Sequence, residues 1–464
     1  MTHSTGARVK NRHSGLAATL QTRHVSMIAC GGAIGAGIFV GSGSTIAQVG
    51  PAVVISYLVV GVLAATAMRL LSVQSQHHPD SGAFATYVGE AFGHIGRFAI
   101  GWMYWWLLVA TASVECIAAA EIAHTWVPGM PTWGWSLLFF CTLTAINVAP
   151  VAVFGEIQFW LVLIKVVMLI AVPVLGVLAV LGALPGVDSP GLGNIGDNGG
   201  FVPRGSGSIF PGILLAAFSF VGIEMTAVAS AEAERPGRTM RRSTRFVTYT
   251  VSAFYVLALL MTVILSPWND RGVAASPFGA MMNAMHIPAT ASIINIVVFT
   301  AVLSVANSCV YAGSRVGFSL AERHDAPKSW GHLSAHQVPT AAIITTAVVG
   351  LVVNLFGYIA PTVVFSALID STGVVLIMVW IAIAASYLKL RPTPDVRLGP
   401  AAINPPARLS VAAWAVSLAM LVLLIGMVFI PATRLQLIMT TLPVMVIFIV
   451  VLWRETSESA DPDW

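Results

Sequence analysis

Three ionisable side chains stand in stretches that are otherwise apolar: Glu115 in TASVECIAAA, Lys165 in FWLVLIKVVMLIAV and Glu224 in FSFVGIEMTAV. A carboxylate or an ammonium in hydrocarbon is costly, so each must face a partner, a ligand or a wet cavity. Such groups can exchange a proton, neutralise a fixed opposite charge, or hold a charged solute. A fourth feature carries no charge. The run GGAIGAG, Gly31 to Gly37, is followed closely by Gly41 and Gly43. Glycine inside a helix costs roughly 1 kcal/mol against alanine, so this crowding needs a reason. One reason is close helix packing, because Gly31/Gly35 and Gly37/Gly41 both fit GxxxG. The other is a helix interrupted at the membrane midplane. An interruption frees N–H groups on one side and carbonyls on the other. The freed donors suit a carboxylate, and the freed carbonyls suit an ammonium. A phosphate-cradling glycine loop would need a preceding strand and a soluble βαβ unit, and the sequence offers neither.

These residues must be positioned by membrane-spanning helices. The chain is 57% hydrophobic and only 9% charged over 464 residues, with a mean hydropathy of +0.85. A soluble domain carries about 25% charged residues, and no polar block here is long enough to form one. Apolar runs of spanning length occur twelve times, at about 24–48, 51–72, 98–124, 133–149, 155–182, 208–231, 246–266, 287–313, 339–357, 361–388, 408–430 and 435–453. The expected fold is therefore an all-α integral membrane protein. Of the 23 Lys and Arg residues, 19 fall in one set of loops. The opposite set holds only Arg204, Arg271 and Arg434, and Lys165 is inside a span. The positive-inside rule then places both termini and the SAEAERPGRTMRRSTR loop in the cytoplasm. No cleavable signal peptide is apparent, since a polar, basic start leads directly into the first apolar run. Arg69 and Arg315 are expected to reach the cytoplasmic headgroups. The four cysteines lie in apolar runs and read as buried packing residues.

Span six interrupts its own apolar pattern with Ser219, Gly222 and Glu224. Spans one and six are the first members of two five-span halves. Paired interruptions at such positions point to a solute site on an inverted repeat. Two broken helices facing each other would form a receptor for a zwitterion.

GGAIGAGIFVGSG, FSFVGIE, PDSGAFATYV and NSCVYAGSR resemble the amino acid–polyamine–organocation superfamily, in its bacterial amino acid permease branch. GWMYWW, HTWVPGMP, GEIQFW, ERHDAP and LIDSTG are most similar to the 4-aminobutyrate (GABA) permeases within it. The similarity runs over about residues 20 to 450. It implies a five-plus-five inverted repeat with discontinuous helices 1 and 6 and two added C-terminal helices. The expected organisation is a cytoplasmic tail (1–22), a first repeat (23–182), a second repeat (208–390), the two extra helices (408–453) and a tail (454–464). The resemblance implies secondary active import of GABA or a related small amino acid by alternating access, in the cell membrane. The substrate carboxylate would meet Ala33, Ile34, Gly35, Ala36 and Gly37, and its amine the backbone near Phe218, Ser219 and Phe220, with Gly222 in the same break. Phe220 is either a gate over the substrate or an ordinary packed aromatic. Ala110, Thr111, Ile223 and Asn307 would set the substrate length.

Many proton-coupled relatives carry a span-five lysine where sodium-coupled ones bind a cation. Lys165 therefore implies proton coupling, with Glu115 as its partner by family analogy and charge balance, and Glu224 as a second proton carrier. Alternatively, Lys165 and Glu224 are fixed structural charges, or the two glutamates select a cationic substrate such as lysine or arginine. An exchanger could use the same site. The expected partners are a small zwitterionic amino acid, a proton and membrane lipid, with no nucleic acid, cofactor or metal, in a monomer or weak homodimer. An enzyme is disfavoured because all eleven histidines fall in loops or at span ends and Ser81 has no base.

Overall fold

In hydrocarbon the backbone has no water to pair with, so a spanning chain satisfies itself as helix. The computed structural model describes residues 15–77, 82–189, 191–359, 361–390, 407–429, 445, 446 and 449. Nearly all of these are helical, and no named strand occurs among them. Helix α1 (Thr22–Ala33) ends at the non-helical pair Ile34 and Gly35. The chain then resumes as a π-turn, Gly37–Gly41, continuous with α2 (Ser42–Val49). The long helices α3 (Val53–His77), α4 (Phe84–Trp126), α5 (Thr132–Val148) and α6 (Val151–Val180) follow. Next come two short helices, α7 (Ile209–Phe218) and α8 (Met225–Ala231), separated by a turn at 219–224. The described chain continues with α9 (Pro236–Leu265), α10 (Thr290–Glu322), α11 (Thr340–Ile359), α12 (Pro361–Leu390) and α13 (Ala407–Phe429).

Eight helical segments among the described residues are long and apolar enough to cross a membrane. One of them, Thr22–Ser75, contains both of the first two expected spans. The expected fourth span is α5, at 17 residues one of the shorter apolar helices, and the sixth is divided between α7 and α8. Most of the expected span 435–453 and the tail after it lie outside the described residues, as do Ser81, Arg434 and the side chain of Asp370.

Three expectations need correction. Hydropathy starts the seventh span at 246, yet α9 begins ten residues earlier, with Pro236 in its first turn. Proline suits a first turn because its missing N–H has no intrahelical partner there. The arginine-rich segment is thus mostly helix: Thr239, Met240, Ser243 and Thr244 are buried while Arg241, Arg242 and Arg245 are exposed. A hydropathy window sees only the hydrocarbon core and misses such an extension. Arg315 is not at the headgroups. It is 1% exposed, with its Nε donating to Glu232 Oε1 at 2.8 Å and its guanidinium 4.1 Å from the Tyr311 ring centroid. Cys141 is exposed, whereas Cys30, Cys116 and Cys309 are buried. Gly93, at φ +82°, breaks α4 and separates its first turns from the spanning part.

Candidate functional site

The two interruptions lie against each other. An added Cβ on Gly222, whose φ is +105°, would stand 2.6 Å from the Gly32 carbonyl oxygen and 2.8 Å from its Cα. A Cβ on Gly37 would stand 2.8 Å from Ser219 Cα. Further along, Leu20 and Ala233 form a parallel bridge beyond α1 and α8. At the other end, a Cβ on Gly212 would meet Val49 Cγ2 at 2.5 Å. These contacts make α1 antiparallel to α8 and α2 antiparallel to α7, with both breaks at the crossing. Close packing and interruption, the two explanations of GGAIGAG, are therefore both present. The missing Cβ atoms let backbone approach backbone at the point where the helices stop.

The freed backbone groups have partners. The Lys165 ammonium on α6 donates to Gly31 O (2.6 Å), Ile34 O (2.8 Å) and Ala301 O on α10 (3.4 Å). The Tyr255 hydroxyl on α9 donates to Ala33 O at 2.8 Å. On the other side of the break, the Ala36 N–H donates to the Glu115 carboxylate, 3.2 Å from each oxygen. Gly35 makes this possible, because a Cβ there would sit 2.6 Å from Glu115 Oε1. Lys165 and Glu115 are fully or almost fully buried. They act on each other electrostatically but are not among the ion pairs of the described residues. The direct pairing expected for them is replaced by an indirect one. The lysine takes the carbonyls that end α1, and the glutamate takes a donor that starts the next half-helix.

In the second break, Glu224 Oε1 accepts from the Gly222 N–H at 3.0 Å. Its Oε2 is buried with no hydrogen-bond partner. The Tyr104 hydroxyl, also without a partner, lies within electrostatic reach of Glu224 but outside hydrogen-bond geometry. Ser219 Oγ and the Tyr57 hydroxyl are 2.9 Å apart. Phe220 is 1% exposed, with its ring centroid 5.4 Å from that of Tyr255 and 6.3 Å from that of Tyr57. The crossing thus gathers backbone dipoles, two carboxylates and an ammonium, bounded by aromatic rings, in one buried place. Among the described residues no cluster of metal-binding side chains occurs.

The sequence matches the amino acid permease family over residues 24–459. The chain belongs to that family. The permease is 38% identical over 457 residues to the gamma-aminobutyric acid permease of Bacillus subtilis, an alignment covering 96% of each chain. It is 37% identical to the gamma-aminobutyric acid permease of Escherichia coli K12 over 373 residues, 80% of each chain. An aromatic amino acid transport protein of Corynebacterium glutamicum is 36% identical over 384 residues, 82% of each chain. The permease is thus a multi-pass membrane protein of amino acid transport, and not an enzyme.

Not every expected substrate residue of the permease reaches this crossing. Ala33, Ile34, Gly35, Ala36, Gly37, Phe218, Ser219, Phe220 and Gly222 form it. Asn307 stands in a buried polar network that packs against Gly31 of α1, with Ser308 Oγ donating to Ile28 O at 3.3 Å. Its amide donates to Gln158 Oε1 at 2.8 Å, and its oxygen accepts from Asn147 Nδ2 at 2.9 Å. Gln158 in turn donates to Ser304 and Ser308. Polar groups this deep pair with one another because an unpaired one is expensive, and that occupies Asn307. Thr111 donates to Leu107 O of its own helix at 2.8 Å, which leaves its hydroxyl oxygen as an acceptor. Ala110 and Ile223 are buried. Sequence reasoning missed Tyr57, Tyr104, Tyr255 and Gln158. The available signal was a polar group in mid-span, which is costly wherever it lacks a partner.

Proposed function

We propose that the permease imports GABA or a related small amino acid across the cytoplasmic membrane by alternating access, coupled to protons, with both termini in the cytoplasm. Substrate zwitterions bind at the crossing of the two breaks, the carboxylate at the Gly35–Gly37 donors and the amine beside 218–220. The observation that carries the coupling reading is the seat of Lys165. Three carbonyls at the end of α1 and on α10 surround its ammonium. The family resemblance implies that a lysine in this span stands where sodium-coupled relatives bind a cation, and this oxygen-lined seat supports that reading. Under proton coupling, Glu224 Oε2, buried without a partner, and Glu115 are the groups to carry the proton. Similarity to GABA permeases across nearly the whole length supports the substrate. The two halves, 23–182 and 208–390, would be the two repeats that contribute one broken helix each to the site.

Purified protein in proteoliposomes tests this. Labelled GABA uptake is measured under an imposed proton gradient, a sodium gradient or neither, with unlabelled amino acids as competitors. Accumulation driven only by the proton gradient and competed by GABA analogues supports the reading. Uptake that needs internal preloading makes the protein an exchanger, and competition by lysine or arginine alone makes the glutamates specificity residues. Relatives that carry aromatic amino acids make phenylalanine the second substrate for the panel.

A further inference from the structure

The receptor reading puts the substrate carboxylate on the donors that open the second half of the broken helix. In this structure a donor of that set, the Ala36 N–H, already holds a carboxylate, with both oxygens of Glu115 at 3.2 Å. The approach is built in. Gly35 has no side chain where Glu115 Oε1 lies, and Val305 of α10 closes the other side of the same space. The carbonyls on the opposite side of the break hold an ammonium, Lys165. The break is thus filled by an internal zwitterion, with each charge on the type of backbone group that the corresponding end of an amino acid would use.

We propose that Glu115 is a built-in competitor for the substrate carboxylate, and that its displacement is the step that takes up the proton. This rests on the proton-coupled reading above. Two carboxylates on one buried N–H set repel, so one of them must become neutral. The charged groups facing Glu115 favour that exchange. Lys165 from α6 acts on it, while Tyr255 from α9, Cys309 from α10 and Cys116 on its own helix add no second cation. With one fixed ammonium, the first break is balanced by one carboxylate, Glu115, while Glu224 belongs to the second break, on the Gly222 N–H. When the substrate carboxylate takes the Ala36 N–H, Glu115 accepts a proton from the side on which the substrate entered. No bond other than that O–H forms; the Ala36 N–H still faces a single carboxylate, and the zwitterion and proton together add one positive charge to the site. When the substrate leaves, Glu115 gives up the proton and retakes the N–H. The cycle carries one proton per substrate, and the empty site stays occupied rather than open to other anions.

The test is equilibrium binding with no membrane gradient. Its probe is whichever of GABA and the standard amino acids most raises the melting temperature of the wild-type protein in detergent. That choice fixes the substrate separately from the competition. Proton uptake on binding is followed with a pH dye in weak buffer. The wild type is expected to take up about one proton per probe bound, with affinity that weakens as pH rises. Glu115→Gln, which removes the charge, is expected to bind about ten-fold tighter or more, without proton uptake and without pH dependence. Glu115→Asp, a methylene shorter, keeps the charge but gives up the N–H. It should bind tighter than wild type while still taking up a proton. A Glu115→Gln protein that binds no tighter than wild type, or that still takes up a proton, overturns the proposal. So does a pair of variants that lose binding equally, since that marks a structural role. If binding carries its proton but an imposed proton gradient drives no accumulation, the symport reading fails and the competition stands.

Discussion

Gly222→Ala tests whether the two breaks depend on backbone contact. Two costs follow from the structure. The residue has φ +105°, where a side chain costs about 1–3 kcal/mol. The new methyl would also stand 2.6 Å from the Gly32 carbonyl oxygen and 2.8 Å from its Cα. Carbon contacts settle near 3.5–4.0 Å, so α1 must retreat by roughly 1 Å, and both neighbours are backbone that cannot rotate away. Overpacking of this kind costs about 1–3 kcal/mol. The total is about 2–6 kcal/mol, a large share of the stability of a folded protein. Gly186 supplies the control. It also has positive φ, +75°, but nothing lies within 4 Å of its would-be Cβ, so Gly186→Ala incurs only the backbone term. Thermal stability of both variants in detergent, with initial uptake rates in proteoliposomes, separates the terms. Gly222→Ala should melt well below Gly186→Ala and lose at least ten-fold in uptake. Equal melting of the two would refute the argument that backbone contact between the breaks holds the site.

Lys165→Gln should abolish gradient-driven uptake, because the shorter amide cannot reach all three carbonyls and carries no charge; normal accumulation by a well-expressed variant contradicts that role. Glu224→Gln removes the titratable oxygen that has no partner and should change the pH profile of uptake, whereas an unaltered profile assigns Glu224 to fixed structure. Arg315→Met leaves Glu232 as an unpaired buried charge at a cost of about 3–5 kcal/mol. The double change with Glu232→Met should recover most of the melting temperature, and failure to recover would mean that the pair does more than neutralise itself.

The breaks were legible because glycine crowding and a mid-span serine, glycine and glutamate violate the local rule for an apolar helix. Lys165, Glu115 and Glu224 were legible because a charge in hydrocarbon is too costly to be incidental. What each charge touches was not. Charge balance alone pairs Lys165 with Glu115, but the ends of a broken helix carry their own partial charges, and these compete successfully for both side chains. Arg315 was misplaced for a related reason. Its partner Glu232 falls just past α8, where composition reads as loop, and no spacing rule links it to a residue 83 positions on. The hydrogen-bond partners of Asn307 were not legible, because Asn147 and Gln158 lie on two other helices and a sequence shows no such three-helix meeting. The start of α9 was hidden because arginines lower hydropathy without lowering helix propensity.

The bridge between Leu20 and Ala233 has a kinetic consequence. Half-helix α1 is fastened to α8 at one end by that bridge, with Leu20 N–H donating to Glu232 O and Glu234 N–H donating to Leu20 O. At the other end the Gly32–Gly222 contact fastens them again. Two rods pinned to each other at both ends cannot swing independently. Any movement that bares the site from that side must carry both as one lever, along with Glu232 and the arginine that grips it. A reporter on either rod should then give one relaxation with one rate constant, and reporters on both should trace the same curve.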